Sequence, residues 1–335
     1  VYGWLGVVAG IISMVLITGL MGSMVFEVVS TGEPSGEAGV ALPSTGDSVS
    51  AQPGIISIPA EAWLISIAIL MVVHELSHGI IARSENFEIN SVGVLVLGII
   101  PGAFVEPKGE NMLPGGEEVE GESHGAWDQG NWISRIKVLC AGSWANYLTA
   151  GLFILIAGGM TGAVSFSTGI MYQAQEDYPA GQAGMTNGTL YSLGQNEVRK
   201  IEDIEAATED LSPGDSIVLN TSEGEFNVTA TSREDFEGGY IGVRFTGIDQ
   251  QYKNGLQSYS GFLGWIIGVF QIVAFLNLGI GLFNMLPAKP LDGGHVLDAL
   301  VERFAGEEYR YFVNAWSASL LLSIMAVIVY SLIAS

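Results

Sequence analysis

The sequence predicts a polytopic α-helical membrane protein that carries one small soluble α+β insert. Three observations predict it. The mean hydropathy is +0.41, and 49% of the 335 residues are hydrophobic against 14% charged, too apolar for an ordinary soluble chain of this length. Five apolar runs reach the ~20 residues that a helix needs to cross a bilayer. One block, residues 172–250, reads differently, with alternating strand-like runs set between turn signals.

The expected spans are residues 3–28, 61–82, 132–159, 259–286 and 312–333. The chain begins at Val1 rather than Met, as expected of a processed or shortened form with residues missing upstream. The first run lacks a basic start and an Ala-x-Ala cleavage site, so residues 1–26 read as a span and not as a signal peptide. "TGEPSGEAGVALPSTGDSVSAQPG" (31–54) has the composition of a flexible surface loop. "FEINSVGVLVLGIIPGAFVE" (87–106) is apolar, β-branched and glycine-rich, with Pro101-Gly102 interrupting it. It is short for a helical span and is expected as a strand hairpin or re-entrant loop. Non-helical backbone at membrane depth is tolerated only where it packs against protein or lines a cavity. In the soluble block "DSIVLNTS", "EFNVTATS" and "GGYIGVRF" read as strands and "VRKIEDIEAATEDL" as a short helix. The expected organisation is therefore a first span with an external loop (1–60), half of a membrane core (61–171) with a re-entrant segment at 87–106, the insert (172–250), and the second half of the core (251–335).

Charge narrows the function classes. There are 35 acidic against 12 basic residues, so a nucleic-acid-binding face of clustered Lys and Arg is not expected. The acidic excess sits in loops, at 105–122 and 201–210. It reads either as a solvated, solubilising surface or as adaptation to high salt, where self-repulsion is screened. The single cysteine, Cys140, allows no internal disulfide and no Cys-based metal cluster, and reads as a small packing residue. Lys and Arg set the orientation. The loop at 29–60 has none, whereas Arg83, Arg135 and Lys137 flank the next loop and Lys289, Arg303 and Arg310 follow the fourth span. Both basic segments are expected in the cytoplasm, and the 29–60 loop and the insert outside it, in a multi-pass cell-membrane protein.

The chemistry concentrates in "MVVHELSHGI" (71–80), at the end of an otherwise uncharged span. On a helix, His74 and His78 project from one face a turn apart, so both imidazoles can reach one metal. Glu75 stands close enough to take a proton from water at that metal. Two buried histidines satisfied by backbone would be the bland explanation, but ionisable groups in a membrane span are costly and point to function. A catalytic zinc takes three protein ligands and keeps one position open. His124 is a candidate third ligand by type but sits in a polar acidic loop. Asp292 is the better candidate: Pro287 and Pro290 end the preceding helix, Gly293-Gly294 let the backbone turn, and the carboxylate can aim inward. As the alternative, Asp292 caps a turn, and His295 is either a supporting group or another ligand. Asn146 and Asn284 lie in the third and fourth spans. An unpaired amide in hydrocarbon costs free energy. They read either as interhelical hydrogen bonds or as donors to a substrate carbonyl or oxyanion.

These residues resemble a known family. "HELSHG" (74–79), "AGSWAN" (141–146) and "NMLPAKPLDGG" (284–294), in this order, are similar to the motifs of the site-2 proteases, intramembrane zinc metalloproteases, in a prokaryotic and archaeal-type form. "YPAGQAGM" (178–185) and "LSPGDSIVL" (211–219) make the insert look like a PDZ domain. The resemblance implies Zn²⁺ held by His74, His78 and Asp292, Glu75 as general base and acid, Asn146 and Asn284 holding the substrate strand, and the 87–106 segment as a re-entrant hairpin against the substrate. Its substrates would be single-span membrane proteins within the lipid bilayer, cleaved near the cytoplasmic side, with the PDZ-like insert contacting substrate or a regulatory peptide. Two features depart from the family pattern: Ser143 stands where a proline is usual, and Lys289 adds a charge between two prolines, expected to reach the cytoplasmic interface. Two rival functions are kept. A membrane metal transporter or sensor would use the same ligands but leave Glu75 no proton to carry. A non-catalytic PDZ-bearing scaffold would not need the His pair.

Overall fold

The computed structural model describes residues 1–335 apart from 33–38, 47, 53, 98–99, 108–126, 128–129, 234–235 and 335. Long uncharged runs free of interior proline give five helices long and apolar enough to cross a membrane. They are α1 (Tyr2–Thr31), α2 (Ala60–Ser84), α3 (Trp132–Val164), α6 (Ser260–Asn284) and α8 (Arg310–Ala334). The expected spans match them to within a few residues. α1 stops at Gly32, which takes a left-handed φ of 71° and donates its N–H to the Val28 carbonyl. α3 runs without interruption through Ser143.

The chain divides into two compact units, Val1–Ala157 with Ile266–Ser335, and Gly158–Trp265. The first holds most of these five helices, with the short α7 (Asp292–Phe304), and two small sheets. Cys140 is fully buried there, close against Gly10 of α1, and acts as the small packing residue expected.

One expectation for this unit is corrected. The segment read as a flexible loop contains β1 (Gly39–Ser44), β2 (Ser50–Gln52) and β3 (Gly54–Pro59), in the order β1-β3-β2. β1 runs parallel to β3, and β2 antiparallel to it. Composition misleads because the helices supply the missing partner. Ile58 is buried with Trp63, Ile67, Leu70, Val269 and Val273 of α2 and α6. Trp63 Nε1 also donates to the Ala41 carbonyl at 3.1 Å. The second small sheet is the expected hairpin, β4 (Ile89–Leu97) antiparallel to β5 (Ile100–Pro107). β5 packs on α2: a Cβ at Gly79 would lie 3.2 Å from Val105 Cγ1.

The second unit is built on a sheet of order β10-β9-β7-β6-β13, with β8 pairing β7. Its strands are β6 (Ser165–Ala174), β7 (Asn187–Leu193), β8 (Asn196–Glu197), β9 (Ser216–Thr221), β10 (Gly224–Thr229) and β13 (Val243–Tyr252), with α4 (Pro179–Gln182) and α5 (Ile201–Thr208) between them. β11 (Thr231–Arg233) and β12 (Phe236–Tyr240) form a separate pair. Ile170, Tyr172, Leu190, Leu193, Leu219 and Val228 form the core. The sheet starts earlier and ends later than the 172–250 block, because β6 follows α3 without a loop and hydropathy cannot separate the two. "GGYIGVRF" also splits between β12 and β13 at Gly242, whose φ is 79° and where a Cβ would run into the Tyr178 side chain. Lys253 Nζ donates to the Gly162 and Ala163 carbonyls and satisfies the end of α3.

Candidate metal centre

α2 brings His74 and His78 onto one face, their ring centroids 4.6 Å apart. His78 Nδ1–H donates to the Val138 carbonyl of α3 at 2.8 Å. A carbonyl has no proton to give, so this bond sets the tautomer and leaves the His78 Nε2 lone pair free. Behind the other ring, the Asn146 amide nitrogen lies 3.1 Å from His74 Nδ1. Asn146 is fully buried and its Oδ1 has no partner. Turning the amide end for end lets Oδ1 accept from Nδ1–H, which satisfies the oxygen and frees His74 Nε2.

The third donor comes from α7. Asp292 is its first residue, with Leu291 as the N-cap. The sequence predicts a turn at the two glycines after it; they lie instead inside α7, and neither has a positive φ. They are glycines because the chain before them presses on the helix start. A Cβ on Gly293 would strike the Met285 carbonyl, and one on Gly294 the backbone of Ala288 and Lys289. This packing holds Asp292 against α2. Its Oδ2 lies 3.1 Å from His74 Nε2 and 3.5 Å from His78 Nε2, and the two Nε2 atoms are 3.0 Å apart.

Those separations test the fit to zinc. A tetrahedral site with bonds of about 2.0–2.1 Å has edges of about 3.3 Å. Two imidazole lone pairs and a carboxylate oxygen converge on one point, and Asp292 Oδ2 is buried with no hydrogen bond. Two imidazole lone pairs and a carboxylate oxygen this close repel one another, and a cation between them would satisfy all three. Gly142 of α3 completes the cradle: a Cβ there would lie 2.5 Å from His78 Nε2 and 2.6 Å from His74 Nε2. The Asn284 amide nitrogen, 3.2 Å from His74 Nε2, stands on the metal side. Glu75, next on α2, is partly buried.

Among the described residues, His74, His78 and Asp292 are thus brought together, and His295 is not part of the group. Burial and the charge of Lys289 hold the His295 imidazole below its usual range. His124 lies outside the described residues. The two asparagines separate: Asn146 lies against His74 Nδ1, whereas Asn284 lies against Nε2, the nitrogen turned toward Asp292. Sequence reasoning missed Gly142 and the Val138 carbonyl; the signal for the first was a glycine inside "AGSWAN".

Comparison with known proteins now decides the family. The model described as "Peptidase family M50" matches residues 62–328, most of the chain. The chain belongs to peptidase family M50. This is the site-2 protease family of zinc metalloproteases, and Zn²⁺ is its metal. The chain is similar to protein MJ0971 of Methanocaldococcus jannaschii, 24% identical over 76% of this chain, and spans 61% of that protein's length. It is 22% identical to a Clostridium perfringens protein named as a zinc metalloprotease, CPE1693, over 79% of this chain and 95% of that one. It is also 30% identical to the Regulator of sigma-W protease RasP of Bacillus subtilis, over 31% of this chain and 23% of that protein. The M50 match takes in all six site residues of the sequence reading, and leaves α1 and β1–β3 outside it.

Proposed function

We propose that the chain is an intramembrane zinc endopeptidase that cleaves transmembrane helices of other membrane proteins, in regulated intramembrane proteolysis. The observation that carries this reading is the convergence, within 3.0–3.5 Å, of His74 Nε2 and His78 Nε2 from α2, a helix apolar enough to span a bilayer, with Asp292 Oδ2 from the start of the short α7. Bound there, Zn²⁺ supplies Lewis acidity and makes hydroxide available near neutral pH. The surrounding helices, not lipid, wrap the site, which answers how water chemistry proceeds at membrane depth.

The chain's own groups do the rest. Glu75 accepts the proton of the attacking water and passes it to the leaving amine. Asn284 Nδ2 donates to the substrate carbonyl oxygen as it gains charge. Asn146 and the Val138 carbonyl hold the two imidazoles in their ligating tautomers. A helical substrate must unwind first, since its carbonyls are tied up in its own hydrogen bonds. The β4–β5 hairpin is the re-entrant element of this reading and takes the unwound segment by strand addition. Its support is the packing of Val105 against Gly79, beside His78. By the charge rule the metal centre lies toward the cytoplasm and the insert outside it. The insert is read as PDZ-like and as screening substrates, on its position and its "YPAGQAGM" and "LSPGDSIVL" phrases.

The test is cleavage of a panel of single-span helices in liposomes by wild type and Glu75→Gln, with zinc content measured for both. The expected result is full zinc in both and a rate at least ~10²-fold lower in the variant. Zinc retained and cleavage unchanged in Glu75→Gln would remove Glu75 from the chemistry. Metal transport without cleavage would favour the transporter instead.

A further inference from the structure

α7 carries a second carboxylate that the chemistry above does not use. Asp298 is only 5% exposed. Arg310, the first residue of α8, donates to it from Nε at 3.1 and 3.2 Å and from Nη2 at 2.7 Å. Lys289 Nζ lies 2.9 Å from Asp298 Oδ2. The charge that Lys289 adds between two prolines is thus paired with a carboxylate of α7. Burial alone would push the Asp298 carboxyl up; the bonds from Arg310 and Lys289 hold it below the usual range.

Lys289 stands three residues before the ligand Asp292. Its backbone is pinned, because Lys289 N–H donates to Ser317 Oγ at 2.9 Å and buried Ser317 donates on to the Val313 carbonyl at 2.6 Å. Its side chain is a strongly hydrated point charge on a flexible stem, and pairs with whichever carboxylate it reaches. Asp292 is the one carboxylate within three residues of it in sequence, and its Oδ2 has no hydrogen bond. An ammonium on that oxygen would compete with the metal for the same lone pair.

We propose that Asp298 is a positioning residue for the metal centre: by holding the Lys289 ammonium it keeps that charge off Asp292 and leaves the carboxylate to the metal. This rests on the zinc site as assigned, but not on the identity of the substrate.

The test measures zinc dissociation constants of the full chain in detergent by competition with a chromogenic chelator, with melting temperature followed for each variant. Asp298→Asn weakens zinc binding by about 10–100-fold, the usual loss for a group supporting a ligand. Lys289→Met stays within about two- to threefold of wild type, and Asp298→Asn/Lys289→Met returns to that range. Arg310→Gln, which breaks the α7–α8 bridge but leaves Lys289 paired, binds zinc as wild type does. That variant keeps the test decisive if Asp298→Asn does not fold. Unchanged affinity in Asp298→Asn, a double variant as weak as the single, or weakening in Arg310→Gln overturns the proposal. A wild type that binds zinc but cuts no helix sinks the protease reading and leaves this one standing; a wild type without zinc sinks both.

Discussion

Gly142 shows how much one hydrogen atom can matter. Its Cα faces both imidazoles, and a methyl group would occupy space within 2.6 Å of ring nitrogens. Interiors do not absorb such overlaps without moving something. Gly142→Ala is therefore expected to lower zinc affinity by at least ~10-fold while far-UV circular dichroism stays unchanged. Normal zinc binding in that variant would mean that the rings have room to retreat. Asn146→Ala should act on the same quantity by the other route, since it removes the group that sets the His74 tautomer; a loss of about 10–100-fold is expected in the same chelator assay. Of the site residues, the His pair and Glu75 are legible from their spacing alone. Asn146 is legible only as a polar atom in an apolar span, and the ring that it orients is visible only in three dimensions.

At the scale of elements, the β9–β10 turn gives the insert a pH response. Glu223 accepts from Thr186 Oγ1 and Thr186 N–H, the latter at 3.0 Å, and from Tyr172 O–H at 2.8 Å. Those bonds, Thr186 first and Tyr172 after it, hold the Glu223 carboxyl below its usual range. A depressed carboxyl adds stability that is present above its unfolded value and is lost as the pH falls through the folded one. Unfolding of the insert in the full chain should thus become easier on acidification below the ordinary carboxylate range, and Glu223→Gln should flatten that dependence. Equal slopes for the two proteins would assign the acid sensitivity elsewhere. The elements themselves differ in how well they could be read. A long apolar helix announces itself through hydropathy. β1–β3 did not, because Gly, Pro and Ser dominate their surroundings and what orders them is burial of Ile58 by α2 and α6.

At the scale of the molecule, a net charge of −23 makes the chain self-repelling. Screening shortens from ~10 Å at 0.1 M salt to ~3 Å at 1 M. If the acidic surface is built for high salt, the melting temperature rises between those two conditions; a flat or falling curve leaves it as a solubilising coat. The insert can be tested as a unit as well. Deleting residues 172–250 should broaden the set of helices cleaved if it screens substrates, and unchanged selectivity counts against that role.

Hydropathy and helical spacing are local sums, so the one-dimensional chain already held the membrane class, the five spans and the His-Glu-x-x-His pair. The order of three short motifs pointed to the family before any fold was known. What the tertiary structure alone decided are the non-local facts. Asp292 reaches His74 because Gly293 and Gly294 let α7 start against the chain from Met285 to Lys289. Gly142 is empty space that two rings from another helix fill. Lys289 is paired because α7 turns Asp298 toward it. Each depends on which backbones approach one another across more than a hundred residues or around a tight corner, and no window of sequence contains that distance.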